Sequence, residues 1–169
     1  MTISMYTASI PPMIKSLGNL EAILDKAIAH ATARKIDDSA FVEARLFPDM
    51  FTFARQIRVA TDMSKGAGAR LAGIDIPKFE DNEKTLPELK ARLRKAIDFL
   101  KTLTAAQIDG SEDKAITLTA GPNTFNFKGL DYLNSWVLPN FYFHVATAYA
   151  LLRHGGVEIG KMDFLGKVQ

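Results

Sequence analysis

Between Met13 and Ala31 the apolar residues Met13, Leu17, Leu20, Leu24, Ala27 and Ala31 fall at steps of 4, 3, 4, 3 and 4. That spacing lays one apolar stripe along a helix, and the stripe has to be covered by other helices. Ile14, Ile23 and Ile28 widen it. The signature returns at Leu86, Leu89, Leu93, Ala96, Leu100 and Leu103, with steps of 3, 4, 3, 4 and 3, and again at Leu138, Tyr142, Val145, Tyr149 and Leu152. A further stripe of Met50, Phe53 or Ala54, Ile57, Ala60 and Ser64 leaves Arg55, Arg58, Asp62 and Lys65 mostly outside it. Four such helices predict an all-α, four-helix bundle.

Local signals place the ends. Ser9 is the expected cap of the first helix, with Pro11 or Pro12 in its first turn, and the helix fades near Lys35 before Asp37-Asp38-Ser39. Pro48 is expected as the first residue of the second helix. Gly66-Ala67-Gly68-Ala69 is flexible by composition, yet small residues favour close packing, so the helix has room to run on toward Gly73. Ile74 to Lys84 reads as a loop holding Pro77 and four acidic residues. Thr85-x-x-Glu88 is a capping box, with Pro87 in the first turn of the third helix, which ends before Asp109-Gly110. Ile116 and Leu118 alternate with threonines, and Phe125 and Phe127 with Asn126 and Lys128, about the turn Gly121-Pro122-Asn123. This predicts a short β-hairpin inserted before the last long helix, packed on the bundle because a lone hairpin is marginal in water. Helix resumes over Leu130 to Leu138, and Pro139 imposes a kink or a restart. Gly155-Gly156 ends the last helix, and the tail from Val157 to Gln169 is expected to be irregular.

The chain of 169 residues suits one domain over residues 1–169, and 47% apolar with 24% charged residues is ordinary globular composition. Its net charge of +2 carries no basic stripe, so no nucleic-acid partner is expected. Lys90, Arg92, Arg94 and Lys95 form the densest basic stretch, read as the solvated face of a helix. The absence of cysteine removes disulfides, thiolate nucleophiles and cysteine zinc sites. Neither a signal peptide nor a run of 18 apolar residues is read, so the expected compartment is the cytoplasm, with no membrane partner.

Three histidines invite a metal hypothesis: His30, His144 and His154. On one regular helix the last two stand roughly 80° apart in azimuth and roughly 15 Å apart along the axis, so they do not share a metal. His144 lies in the apolar column Phe141, His144, Ala148, Leu151 and is the best candidate for an inward site. A packed histidine bonded to a buried group is the plainer role for it. His30 reads as a boundary residue, and His154 as a last-turn residue that favours the helix dipole. No Gly-x-Ser-x-Gly elbow, Walker loop, dinucleotide fingerprint or EF-hand loop is present. Trp136, Phe141, Tyr142, Phe143 and Tyr149 cluster in one turn-and-helix unit after Phe125 and Phe127, more apolar surface than one core face needs, with Phe143 the expected surplus. A pocket or a dimer surface would use it.

The C-terminal run Pro139-Asn140-Phe141-Tyr142-Phe143-His144, Tyr149, Leu152-Arg153-His154-Gly155-Gly156-Val157 and Ile159-Gly160-Lys161-x-Asp163-Phe164-Leu165-Gly166 resembles a bacterial and fungal family of unknown function in the DinB/YfiT-like superfamily. Leu46-Phe47-Pro48-Asp49-Met50-Phe51 with Gln56, and Arg70-Leu71-Ala72-Gly73, are similar to its second-helix signature. The resemblance implies a four-helix bundle and often a homodimer. In many relatives it implies a divalent metal held by one histidine on the second helix and two on the last, serving thiol-dependent transferases or hydrolases. Here Gln56 is the nearest counterpart on the second helix, and Ala148 stands four residues after His144 where a second ligand would sit.

Two functions follow. One is a non-catalytic homodimer with an apolar, aromatic pocket for a small molecule near Trp136, Tyr142 and Tyr149, beside Gln56 and His144. The alternative is a divalent-metal-dependent enzyme of the thiol transferase or hydrolase type. It would hold zinc or nickel on His144, helped by Gln56, Asp49 or Asp62 and by His30. The broken ligand set favours the first, because open-site metal catalysis needs a complete one.

Overall fold

In the computed structural model, which describes residues 3–167, the elements run α1 (Met5–Arg34), α2 (Ser39–Val42), α3 (Phe53–Ala72), α4 (Leu86–Lys101), α5 (Ala105–Ile108), β1 (Ala115–Ala120), β2 (Asn123–Lys128) and α6 (Gly129–Asp131), then a π-helical segment (Tyr132–Val137), α7 (Leu138–His154) and α8 (Lys161–Leu165). The four long helices are α1, α3, α4 and α7, and the hairpin stands before the last of them, as the stripes predict. Every stripe residue of α1 from Met13 to Ala31 is buried, as are Leu86, Leu89, Leu93, Ala96, Leu100 and Leu103. Ile116 and Leu118 of β1 pair across the ladder with Phe127 and Phe125 and pack on the core.

Side-chain pairs give the helix directions. Arg94 forks onto the Glu21 carboxylate at 3.1 and 2.5 Å, and Tyr6 reaches Asp109, so α1 and α4 are antiparallel. Arg70 Nη1 donates to the Tyr132 hydroxyl at 3.1 Å while Gln56 meets His144, so α3 and α7 are antiparallel. Thr61 meets Arg92, and Gly68 lies against Leu100 and Leu103, so α3 and α4 are parallel. Two adjacent parallel helices need a connection that runs back along the bundle, and residues 74–85 supply it.

That connection is held by Arg92. Its side chain is 2% exposed. Nε donates to Thr61 Oγ1 at 2.8 Å, Nη1 to the Glu80 carbonyl at 2.8 Å and to Glu83 Oε1 at 2.9 Å, and Nη2 to Asp62 Oδ1 at 3.0 Å. Asp81 completes the set at 3.0 Å. The expectation of a solvated face is therefore corrected at Arg92: the acidic residues of the connection fold back over it. Lys65, expected outside, is also buried, with Nζ on the Pro77 carbonyl at 3.0 Å and on Asp62 at 3.2 Å. Burial pushes the Glu83 carboxyl up, but hydrogen bonds from Arg92, from its own backbone and from Arg58 outweigh burial and hold it below the usual range.

Several ends differ from expectation. The cap of α1 is Ser4, whose Oγ accepts the Thr7 N–H while Thr7 Oγ1 accepts the Ser4 N–H. Asp109 Oδ1 takes the Tyr6 N–H at 2.8 Å, and Met5 and Ile10 are buried. These anchors carry the helix through Pro11 and Pro12 despite their missing donors. Ser9 lies within the helix and bonds back to the Met5 carbonyl. Pro48 sits in a turn and Thr52 caps α3, because the 44–52 segment closes on itself: the Phe53 N–H reaches the Ala44 carbonyl, and Arg45 Nη1 the Met50 carbonyl at 2.8 Å. The helix does run through Gly66-Ala67-Gly68-Ala69 to a left-handed Gly73, and a Cβ at Gly68 would stand 2.5 Å from Leu103 Cδ1. At Pro139 the restart is a change of pitch: α6, the π segment and α7 are continuous, and Asn140 Nδ2 donates to the Trp136 carbonyl at 2.6 Å. The tail is not irregular throughout. Helix α8 docks on α1, with Asn19 Nδ2 on the Phe164 carbonyl at 3.0 Å and Lys26 Nζ on Asp163 at 2.7 Å. The Lys26 ammonium holds the Asp163 carboxyl below its ordinary range. Val168 and Gln169 of the expected tail lie outside the described residues.

Truncating a buried ion-pair partner strands the other groups, so Arg92→Ala is expected to lower unfolding free energy by about 3 kcal/mol, measured by urea denaturation. Two glycines set a second test. A Cβ at Gly129 would lie 1.9 Å from the Ser111 carbonyl oxygen, whereas one at Gly18, within α1, meets nothing within 4 Å. Gly18→Ala should stabilise by about 0.5–1 kcal/mol and Gly129→Ala should destabilise, read from paired thermal melts.

Candidate functional site

Gln56 lies in the second turn of α3 and His144 in the second turn of α7, where the antiparallel packing makes them face each other. Both are buried. His144 Nδ1 is 2.6 Å from Gln56 Oε1, and Gln56 Nε2 donates to the Phe51 carbonyl at 3.3 Å. With the amide so oriented, Oε1 can only accept. The Nδ1–H tautomer therefore follows, and Nε2 is left unprotonated. Burial pushes the imidazole below its ordinary pKa, and no carboxylate partner opposes that shift, so the neutral ring is the resident form.

Aromatic rings wall this pair. Phe51 lies nearly parallel to the imidazole, 6.2 Å away with planes at 10°, and Phe143 meets it edge-on at 5.2 Å and 89°. The Arg55 guanidinium sits 3.8 Å over the Phe51 ring. Phe143 is 55% exposed and Phe47 64%, and Leu46, Phe51 and Tyr142 are exposed as well. The 44–52 turn and α7 thus both carry exposed apolar side chains, and Phe51 and Phe143 from them flank His144.

The structure brings Gln56 and His144 together and gives the other three expected pocket residues separate partners. Trp136 packs on Phe125 at 4.9 Å and Phe127 at 6.0 Å, under the hairpin. Tyr149 meets Phe164 of α8 edge-on at 5.8 Å. Tyr142 stands edge-on to Phe141 at 5.2 Å. Phe51 is the site residue that sequence reasoning misses, since the stripe from Met50 places it in a helix. The signal available is its apolar company, Leu46 and Phe47, ahead of the helix.

Residues 5–165 match the family model for a domain of unknown function, DUF1993. The chain belongs to the DUF1993 family. A crystal structure of a DinB family member protein from Shewanella denitrificans is 35% identical and superposes with a TM-score of 0.86, over 96% of this chain and 92% of that one. No curated protein matches the sequence. The DUF1993 chain therefore has the DinB-like fold, and its chemistry has to be argued from its own side chains.

The DinB-like fold implies a divalent metal held by histidines, and the DUF1993 residues present do not fit one. His144 has Ala148 one turn on, buried and without a donor. Asp62 is engaged by Arg92 and Lys65. His30 lies edge-on to Phe41 at 6.0 Å, and Asp49 is exposed in the 44–52 turn. Among the described residues no three histidine, aspartate or glutamate side chains converge to hold an ion. Nor, among them, is any helix long and apolar enough to cross a membrane.

The lowered pKa of His144 sets a pH dependence. Below the ordinary value of 6.5 the unfolded chain takes up this proton before the folded one does. The stabilising contribution of the neutral ring is complete above that pH and is lost as pH falls through 6.5 toward the folded value. Urea midpoints measured from pH 7.5 down to about 5 should decline in the wild type and be flatter in His144→Phe, and parallel curves would mean the ring titrates alike in both states.

Proposed function

We propose that this DUF1993 protein is a non-catalytic, homodimeric binding protein, and that the run Leu46, Phe47, Phe51, Tyr142 and Phe143 is the apolar surface it presents to its partner copy and to small apolar ligands. The observation that carries the reading is the pairing of His144 with Gln56. An imidazole tied at Nδ1 to a buried amide, walled by two aromatic rings and lacking a second ligand one turn on, fixes the packing of α3 on α7. It lacks the open, complete ligand set that metal-activated water or thiol chemistry requires. The exposure of these five apolar side chains supports the interface part, since large exposed apolar patches mark interaction sites.

Sedimentation equilibrium on protein without a histidine tag, alongside metal analysis by mass spectrometry, tests both parts. The expected result is a dimer for the wild type and a helical monomer for Phe143→Glu. Neither the wild type nor His144→Ala should hold metal after incubation with zinc or nickel. A monomeric wild type would remove the interface. Stoichiometric zinc or nickel that disappears in His144→Ala would restore the metal-dependent transferase or hydrolase.

A further inference from the structure

A cleft of about 370 Å³ opens between α2 and the C-terminal end of α7. That volume falls within the roughly 300–1,000 Å³ of small-molecule sites. Its floor is apolar: Phe41, Leu151 and Leu152 are all buried. Ala40 and Ala44 line it with side chains too small to fill it. Arg45 and His154 stand at its rim, and no aspartate or glutamate lines it. None of Leu46, Phe47, Phe51, Tyr142 and Phe143 lines it, so its lining differs from the surface proposed above, although Ala44 and Arg45 belong to the turn that carries part of that surface.

Charge sets this cleft apart from two others in the molecule. The one around Arg92 carries Glu80, Glu83 and Glu88 among its basic residues, and the one along α1 has Glu158 beside Lys26, His30 and Arg34. In both, the cations have anions at hand. Arg45 is in no ion pair among the described residues, and its one hydrogen bond there, from Nη1 to the Met50 carbonyl, fixes the guanidinium and leaves most of its five N–H donors unspent. The last carbonyls of α7 do not compete for them, because the N–H groups of Gly155, Gly156 and Val157 already take those of Leu151, Arg153 and Leu152. His154 offers a ring N–H in either tautomer.

We infer that this cleft binds a small monocarboxylate with an apolar tail, the tail on Phe41, Leu151 and Leu152 and the carboxylate at Arg45 and His154. One fixed cation matches one negative charge, and the guanidinium fork matches the geometry of a carboxylate. The apolar floor demands a tail that a bare inorganic anion lacks.

Hexanoate is the probe, with hexanol and inorganic phosphate as partial mimics, followed by calorimetry and by amide shifts in nitrogen-15 spectra of the intact chain. Hexanoate should saturate, with shifts concentrated in α2, the 44–52 turn and the last turn of α7. Hexanol and phosphate should each bind at least about tenfold more weakly, as should hexanoate to Ala40→Trp, which fills the cleft from an exposed position, and to Arg45→Met. Arg45→Lys, which keeps the charge, should recover part of the loss. Hexanol binding as tightly as hexanoate would overturn the role of charge. Unchanged affinity in a folded Ala40→Trp, or no saturation by hexanoate, would overturn the site. None of these readouts depends on metal content, and repeating them on Phe143→Glu, whose substitution lies outside the cleft lining, separates the site from the dimer.

Discussion

A single buried guanidinium, that of Arg92, holds the connection between α3 and α4 on its course along the bundle. Because α3 and α4 lie parallel, the chain between them has to travel the length of the bundle without secondary structure of its own, and such a segment needs its backbone polar groups satisfied wherever it is covered. Arg92 does this from α4. It ties the Glu80 carbonyl and the Glu83 and Asp81 carboxylates of the connection to Thr61 and Asp62 of α3. Lys65 repeats the arrangement from the other helix, and Phe79 lies under both cations. Desolvating so many charges yields little net stability, but any other course for the connection would leave them unpaired, so the contacts act chiefly by excluding alternatives.

The helices were legible because their information is local. A 3–4 spacing over four or more turns has one geometric meaning, and the Thr85–Glu88 box marks its own helix start within four residues. What escaped was set by partners distant in sequence. Arg92 sits in a basic stretch with Lys90, Arg94 and Lys95, and only the folded connection distinguishes it from them. Pro11 and Pro12 look like a helix start until Asp109, roughly a hundred residues on, secures the turn before them. The tail turns helical because Asn19, Lys26 and Tyr149 wait for it, and five residues are too few for periodicity to announce that.

The candidate site divides along the same line. His144 could be singled out because it lies in the apolar column of its helix, and Gln56 through the family resemblance; antiparallel packing of the two helices brings them face to face. The aromatic surplus was equally visible, but its destinations were not. Trp136 is claimed by the hairpin and Tyr149 by α8, so side chains close together in sequence stabilise two different junctions. Phe51 became a wall of the histidine because the 44–52 turn stops α3 from starting earlier, a matter of turn hydrogen bonds rather than of residue type.

The first long helix has a position in time as well as in space. Its 30 residues are translated before their partners, which are Arg94 on α4, Asp109, and Phe164 and Asp163 of α8. Its apolar stripe therefore lacks these partners on the ribosome until α4 has been made, and α8 closes over it later still. Until then the nascent chain has to keep its longest helix shielded by chaperones or left unfolded.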